Sequence, residues 1–340
     1  MPSDAASSRG PLWADWLDDR PPAAGAAVMA TAVLSVGLHL LGVEWASRVL
    51  LVVAAVVWLA LASVFGRHLL TERDRWRHEI DTSPALTAIA ATGVLGTRLS
   101  LLGRQPVSVA LLCVCVLLWP LLMSHVIRHW QSRLPGAAYL VCVATQSIVV
   151  LAATVATADR QAWLMWPALA FFAVGLLLYA VVLRRFDFRQ LATGQGDHWI
   201  IAGAMAISAL AGSKLVAASV PHGPLHWATP AHDVLRTVTL VTLGLALAWY
   251  AVLVGCELLR PRLHYDVRRW ATVFPLGMTA VASLSVSTAA DIPALWTCGK
   301  VLFWPALAVW AVVTTGEFRA ARSGIEAGRT ASGSPRVSRR

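Results

Sequence analysis

The sequence predicts an all-α integral membrane protein whose ten transmembrane helices are paired as five hairpins. Three observations predict it. Of the 340 residues, 57% are hydrophobic and only 14% are charged, and the mean hydropathy is +0.64. A soluble chain of that length has no way to bury so much apolar surface, so lipid must solvate much of it. Apolar runs of about 18 or more residues recur with the charges gathered in the gaps, and each is long enough to cross a hydrocarbon core of ~30 Å as a helix. Lastly, the 28 Lys and Arg residues are sorted by side. With a cytoplasmic N-terminus, 21 fall on one side and four (Arg48, Arg104, Arg160 and, at the very start of the eighth span, Arg236) on the other; Arg98, Lys214 and Lys300 lie deeper within spans. That asymmetry is the positive-inside pattern, and it puts both termini in the cytoplasm.

Taken in order, the predicted spans are 24–43, 49–66, 83–103, 106–127, 136–156, 163–183, 199–220, 235–256, 270–288 and 294–316. They divide into five in–out–in hairpins that begin near residues 24, 83, 136, 199 and 270, a loose internal repeat. The first span reads MATAVLSVG, the third TAIAATGVLGT, the fifth VATQSIVVLAAT, the seventh GAMAISALAGS and the ninth FPLGMTAVASLS. All five are rich in Gly, Ala, Ser and Thr, which suits close helix approach or a narrow lumen. Their partners are bulky: VLLVVAAVVWLAL, VALLCVCVLLWPLLM, LAFFAVGLLLYAVVL, LGLALAWYAVLV and VLFWPALAVWAVV. Such side chains suit contact with lipid. The alternation predicts an inner ring of odd helices; tight packing alone is the plainer reading of the small residues. Trp45, Trp130, Trp163, Trp199, Trp227 and Trp270 stand near span ends, as an interfacial aromatic belt requires.

The span region, residues 21–316, is the whole of the predicted structured domain. Residues 1–20 are polar and carry Asp4, Asp15, Asp18 and Asp19, so they read as a cytoplasmic disordered N-terminus rather than a cleavable signal peptide. Residues 317–340 read as a basic, disordered cytoplasmic tail. The localisation expected is the inner (plasma) membrane, multi-pass. The formal charge of +10 is then a topology signal and no nucleic acid is expected as partner. Cys113, Cys115, Cys142, Cys256 and Cys298 lie in spans without a C-x-x-C pair and read as apolar packing.

Several local runs resemble the tellurite-resistance/dicarboxylate transporter family, which includes bacterial tellurite-resistance permeases, yeast malate and sulfite transporters and the slow-type anion channels of plant guard cells. The runs are PPAAGAAVMATAVLSVGL, ATGVLGTRLSLLG, VATQSIVVLAAT, DHWIIAGAMAISALAG and YDVRRWATVFPLGMTAVAS, one at each odd helix, and the last two are the most specific. The resemblance covers about residues 21–316. It implies five helical hairpins around a pseudo-five-fold central pore, with odd helices inner and even helices outer, and a homotrimer. It also implies that Phe274 matches the family phenylalanine that plugs the pore as a gate.

Phe274 has its own physical reading beside that resemblance. An aromatic ring in a narrow lumen makes a hydrophobic constriction that blocks ions by dewetting. Pro275 follows it, removes a backbone donor and disfavours helical geometry at the residue before it, so a kink is expected there. A phenylalanine packed between helices is the alternative. His39, Arg98 and Lys214 each lie about 15 residues from their hairpin start, or ~22 Å along a helix. They are the expected outer vestibule, a positive rim that concentrates anions; side chains snorkelling to the interface are the alternative. Gln146, with Thr145 and Ser147, offers weak hydrogen bonds either to a permeating ion or between helices.

No Asp or Glu falls within the predicted odd spans, so the lumen has nothing to hold a cation. His222, His226 and His232 share an outer loop, but Gly223 and Pro224 break the H-x3-H spacing, and neither a metal nor a cofactor is expected. No P-loop, G-x-G-x-x-G or G-x-S-x-G stands in a credible setting, and no convergent acid–base set suggests a membrane enzyme. The function expected is a permease or channel for small anions of the halide, nitrate, sulfite, tellurite or C4-dicarboxylate class, passive, efflux-directed and gated by the phenylalanine, with membrane lipids as its other partners. A proton-coupled secondary transporter of C4-dicarboxylates or oxyanions is the alternative.

Overall fold

A computed structural model describes residues 24–74, 80–193, 196–261 and 266–333. The predicted N-terminal segment 1–20 and several arginines of the sorted set (Arg9, Arg20, Arg75, Arg77, Arg262, Arg336, Arg339 and Arg340) lie outside them. The described residues hold the long helices α1 (Gly25–Leu40), α2 (Glu44–Thr71), α3 (Thr87–Leu101), α4 (Gln105–Arg128), α5 (Leu140–Asp159), α6 (Met165–Arg185), α7 (Ile200–Ala218), α8 (His232–Leu259), α9 (Trp270–Ala290) and α10 (Pro293–Gly333). There is no strand among them, only an isolated bridge between Leu134 and Phe186. Eight of these helices, with the short turns that lead into them, are long and apolar enough to cross a membrane. The exceptions, α1 and α3, span 16 and 15 residues, and Arg98 lowers the hydropathy of α3. They are covered by other helices over most of their length.

Burial separates two kinds of helix. The apolar windows of α5, α7 and α9 are 94%, 89% and 89% buried, whereas those of α2 and α10 are 17% and those of α6 and α8 are 28%. The exposed faces of the second set are strongly apolar, with Val52, Val56, Leu59, Leu117, Leu177, Val241 and Val312 turned outward. An apolar outer face around a buried inner set of helices is what lipid as solvent selects.

Neighbour relations follow chain order. Each odd helix packs against its own hairpin partner and against the next odd helix, and α9 also packs against α1. Each even helix touches the odd helix that follows it, α10 again returning to α1. Tryptophans fix three of those outer-to-inner contacts in the same way. Trp58 of α2 donates its indole N–H to Thr92 of α3 (2.9 Å), Trp119 of α4 to Thr145 of α5 (2.9 Å), and Trp310 of α10 to Thr31 of α1 (3.0 Å). Each threonine in turn donates to the carbonyl four residues before it, on Ala88, Val141 and Ala27 respectively. A hydroxyl with one donor and spare lone pairs serves both bonds at once.

The hairpin ends repeat as well. Four of the five connections on the side opposite the charged loops close with a left-handed residue followed by an amide that reaches back to the last helical turn. These are Gly42 with Val43 N–H to Leu38, Gly103 with Arg104 N–H to Leu99, Arg160 with Gln161 N–H to Ala156, and Asp291 with Ile292 N–H to Ser287, at 2.8–3.0 Å. This Schellman closure satisfies carbonyls the helix leaves open, and the positive φ favours glycine in two of the four. At the other end α3, α5, α7 and α9 each begin after a single 3-10 turn. The fourth connection is longer, with a further left-handed residue at His222.

Some boundaries differ from those the sequence suggests. α2 starts five residues earlier than the predicted 49, because Glu44 begins the helix and binds basic side chains there. α10 runs on to Gly333 through much of the segment that composition marks as a tail. Two of the belt tryptophans are internal: Trp199 and Trp270 are 2% and 4% exposed, and their N–H groups point to Glu257 and Glu317. Proximity to a span end fixed their depth but not their direction. Trp45 and Trp163 are exposed as the belt reading requires, and Trp227 stacks on Trp166.

Candidate functional site

The five odd helices meet around a cavity of about 10 Å³, lined by Val33, Val36 and Leu40 of α1, Val94, Thr97 and Leu101 of α3, Val150 of α5, Ile207, Leu210 and Lys214 of α7, and Met278 and Val281 of α9. On α1, α3 and α7 the lining residues follow the same i, i+3, i+7 spacing, one face of a helix. The volume is on the order of one water molecule, so the odd helices pack closely around it. Apart from Lys214 and the hydroxyl of Thr97, the lining is hydrocarbon and thioether. No carboxylate is among the lining residues, and the single one within the odd helices, Asp159, is exposed at the end of α5.

Phe274 lies one turn before Met278 on α9, on the face that lines the cavity, and is 1% exposed. Its ring packs on Gly203, which holds the matching position one turn before Ile207 on α7. A Cβ on Gly203 would come within 2.7 Å of the ring and 3.0 Å of Pro275 Cγ. Glycine is therefore required there for the ring to lie between α7 and α9. The helix runs on through Pro275, whose carbonyl accepts from Thr279 (2.8 Å).

Two of the three residues of the predicted vestibule, Arg98 and His39, meet at one carboxylate, and the third, Lys214, stands apart from them. Arg98 is completely buried and faces α2: its Nε donates to Ser47 Oγ (2.9 Å) and its Nη2 to Glu44 Oε1 (2.7 Å). His39 binds the other oxygen of the same carboxylate (2.7 Å), and Arg48 adds a third contact (3.1 Å). Glu44 thus joins α1, α2 and α3 at the ends away from the charged loops, helped by Ser35 and Ser47, whose hydroxyls each donate to the other residue's carbonyl (2.7 and 2.6 Å). Lys214 alone of the three lines the central cavity, and it makes no hydrogen bond or ion pair with the described residues. Gln146 also turns outward. Its Nε2 donates to the Phe172 carbonyl of α6 (3.1 Å) and its side chain fills the space left by Gly175.

Glu44 is the functional neighbour that the sequence concealed. It stands at the head of a bulky outer helix, outside the predicted second span, and only its contacts reveal that it holds two of the three cations. The tryptophan clamps were visible as isolated aromatics inside apolar runs (VVWLAL, LLWPLL, AVWAVV), a signal that the belt reading does not cover.

Residues 20–317 match the SLAC1 family, described as voltage-dependent anion channel, which takes in the membrane region from the first odd helix to the last even one. The chain belongs to that family. Membership supports a membrane protein that acts as an anion channel or transporter, and it bears out the resemblance seen at the five odd helices. Among curated proteins, two uncharacterized membrane proteins of Mycobacterium tuberculosis, from strains CDC 1551 and H37Rv, are each 31% identical over 121 residues. The match covers 34% of this chain and 59% of theirs, so the chain spans about three fifths of the length of the curated relatives it matches.

Proposed function

We propose that the five odd helices of this family member enclose a passive pathway for small anions, shut in this conformation by Phe274. One observation carries the reading. The odd helices pack in chain order back to α1 around a narrow space with no carboxylate, and Phe274 occupies its lining face one turn away. A closed order of five hairpins with repeated turns and clamps supports ten membrane crossings about a pseudo-five-fold axis. Pro275 supports a gate that moves by a local change in α9, because the helix lacks one backbone bond there.

The cavity lining contains neither a carboxylate nor a histidine to couple protons, which favours passive flow over proton-driven transport. An inside-negative potential drives a monovalent anion outward by ~2.3 kcal/mol per 100 mV, so net efflux is the direction of such a pathway. The location proposed is the plasma membrane with both termini cytoplasmic, and the assembly a homotrimer.

The test is anion flux into proteoliposomes, wild type beside Phe274→Ala, with and without an imposed proton gradient. Removal of the ring should raise flux, and the proton gradient should leave it unchanged. A rate that follows the proton gradient would favour the coupled transporter instead.

A further inference from the structure

Of the basic groups set at this depth on the odd helices, Lys214 is the one without an acidic partner among the described residues. Glu44 holds Arg98 and His39 away from the centre, while Lys214 stands on the cavity lining with no partner among the described residues. The equivalent positions on the other odd helices carry no charge. Leu40 and Leu101 occupy them on α1 and α3, in the same register of the lining face, and Thr154 and Ser285 on α5 and α9. The hydroxyl nearest in sequence order, Ser213, is bonded to Ser285 across the α7–α9 contact (2.8 Å).

We infer that Lys214 is the specificity residue of the central pathway and selects anions by valence, accepting one monovalent anion at a time. The inference rests on the proposed conduction through this cavity and adds the class of ion it accepts. The physical argument is charge balance within a hydrocarbon wall. A passage of this width strips most of the water from an ion, and an ion inside low-dielectric surroundings needs a compensating charge close by. Lys214 supplies one positive charge. A monoanion beside it makes a balanced pair that still dissociates. A dianion leaves a full negative charge with no second cation on the lining to meet it, because Arg98 and His39 are already engaged by Glu44. The same single charge implies saturable flux, since a second anion finds the site occupied.

Inorganic phosphate provides the probe, because its charge changes from one to two near neutral pH while its framework stays the same. The measurement is flux through proteoliposomes carrying Phe274→Ala, alone and combined with Lys214→Gln or Lys214→Arg, with phosphate on either side of its second ionisation. Chloride at both pH values corrects for any pH effect on the protein. The parent should carry the monoanionic form at least about tenfold faster than the dianionic form, and its chloride flux should saturate. Lys214→Gln should lower chloride flux about tenfold and abolish saturation, and Lys214→Arg should restore both. Equal flux of the two phosphate forms, or a glutamine variant indistinguishable from the parent, overturns the inference. If the parent itself carries no anion, the conduction reading fails first, which separates the two.

Discussion

Arg98 and Lys214 occupy comparable places on α3 and α7, about the same distance from the start of their hairpins, yet they live in opposite electrostatic settings. Arg98 points between helices to a carboxylate and a serine and is completely buried. Lys214 points to the centre and meets no carboxylate. Spacing along a helix fixes depth, but the direction of a side chain turns by about 100° with every residue. Two cations at one depth can therefore serve different ends: one fastens three helices together, the other remains available to an ion.

The largest expected effect comes from breaking the fastened side. Glu44→Gln leaves the buried Arg98 guanidinium without its counter-charge, and removal of one partner from such a pair costs about 3 kcal/mol or more. A large drop in thermal stability in detergent should follow, and Glu44→Leu combined with Arg98→Leu should recover much of it. Lys214→Leu should leave that stability unchanged or raised, since no pair is broken; a loss as large as that of Glu44→Gln would erase the contrast between the two sites.

A smaller effect belongs to the gate. Gly203→Ala puts a methyl group in the space of the Phe274 ring, so the ring or the helices must move. Overpacking of this kind costs about 1–3 kcal/mol. Its distinguishing mark is an altered anion flux in proteoliposomes, which Gly203→Ala combined with Phe274→Ala should not show relative to Phe274→Ala alone. The smallest effect is that of the clamps. Trp58→Phe or Trp310→Phe removes one interhelical hydrogen bond and should cost about 0.6 kcal/mol each, as membrane hydrogen bonds do on average. Unfolding by denaturant in mixed micelles would detect the loss, and the two changes should add because the two bonds share no residue.

Much of the helical layout was legible from the sequence. The apolar runs gave the long helices, and the contrast between TAIAATGVLGT and VVAAVVWLAL anticipated which set is buried and which faces outward, because side-chain size dictates how closely helices approach. The VFPLGM run marked Phe274 through its resemblance to the family's gate residue, whereas its contact with Gly203 is visible only in the fold. The electrostatics were less legible. Glu44 looked like a residue between spans, yet the helix begins there, and its carboxylate reaches a residue more than fifty positions away. For Gln146 the sequence allows an ion or a neighbouring helix as partner, and the notch at Gly175 on α6 takes its side chain on the far side. Pairings between helices depend on azimuth and long-range approach, and neither is written in local composition.

The central claim is that anions pass between the odd helices rather than along the outside of the molecule. In a background with the five native cysteines replaced and Phe274→Ala in place, single cysteines at Leu210 on the cavity lining and at Leu117 on the outer face of α4 can be treated with a charged, water-soluble thiol reagent while anion flux is recorded. The account predicts that modification of Leu210→Cys stops the flux and that treatment of Leu117→Cys leaves it intact. Flux that survives full modification of Leu210→Cys would contradict it.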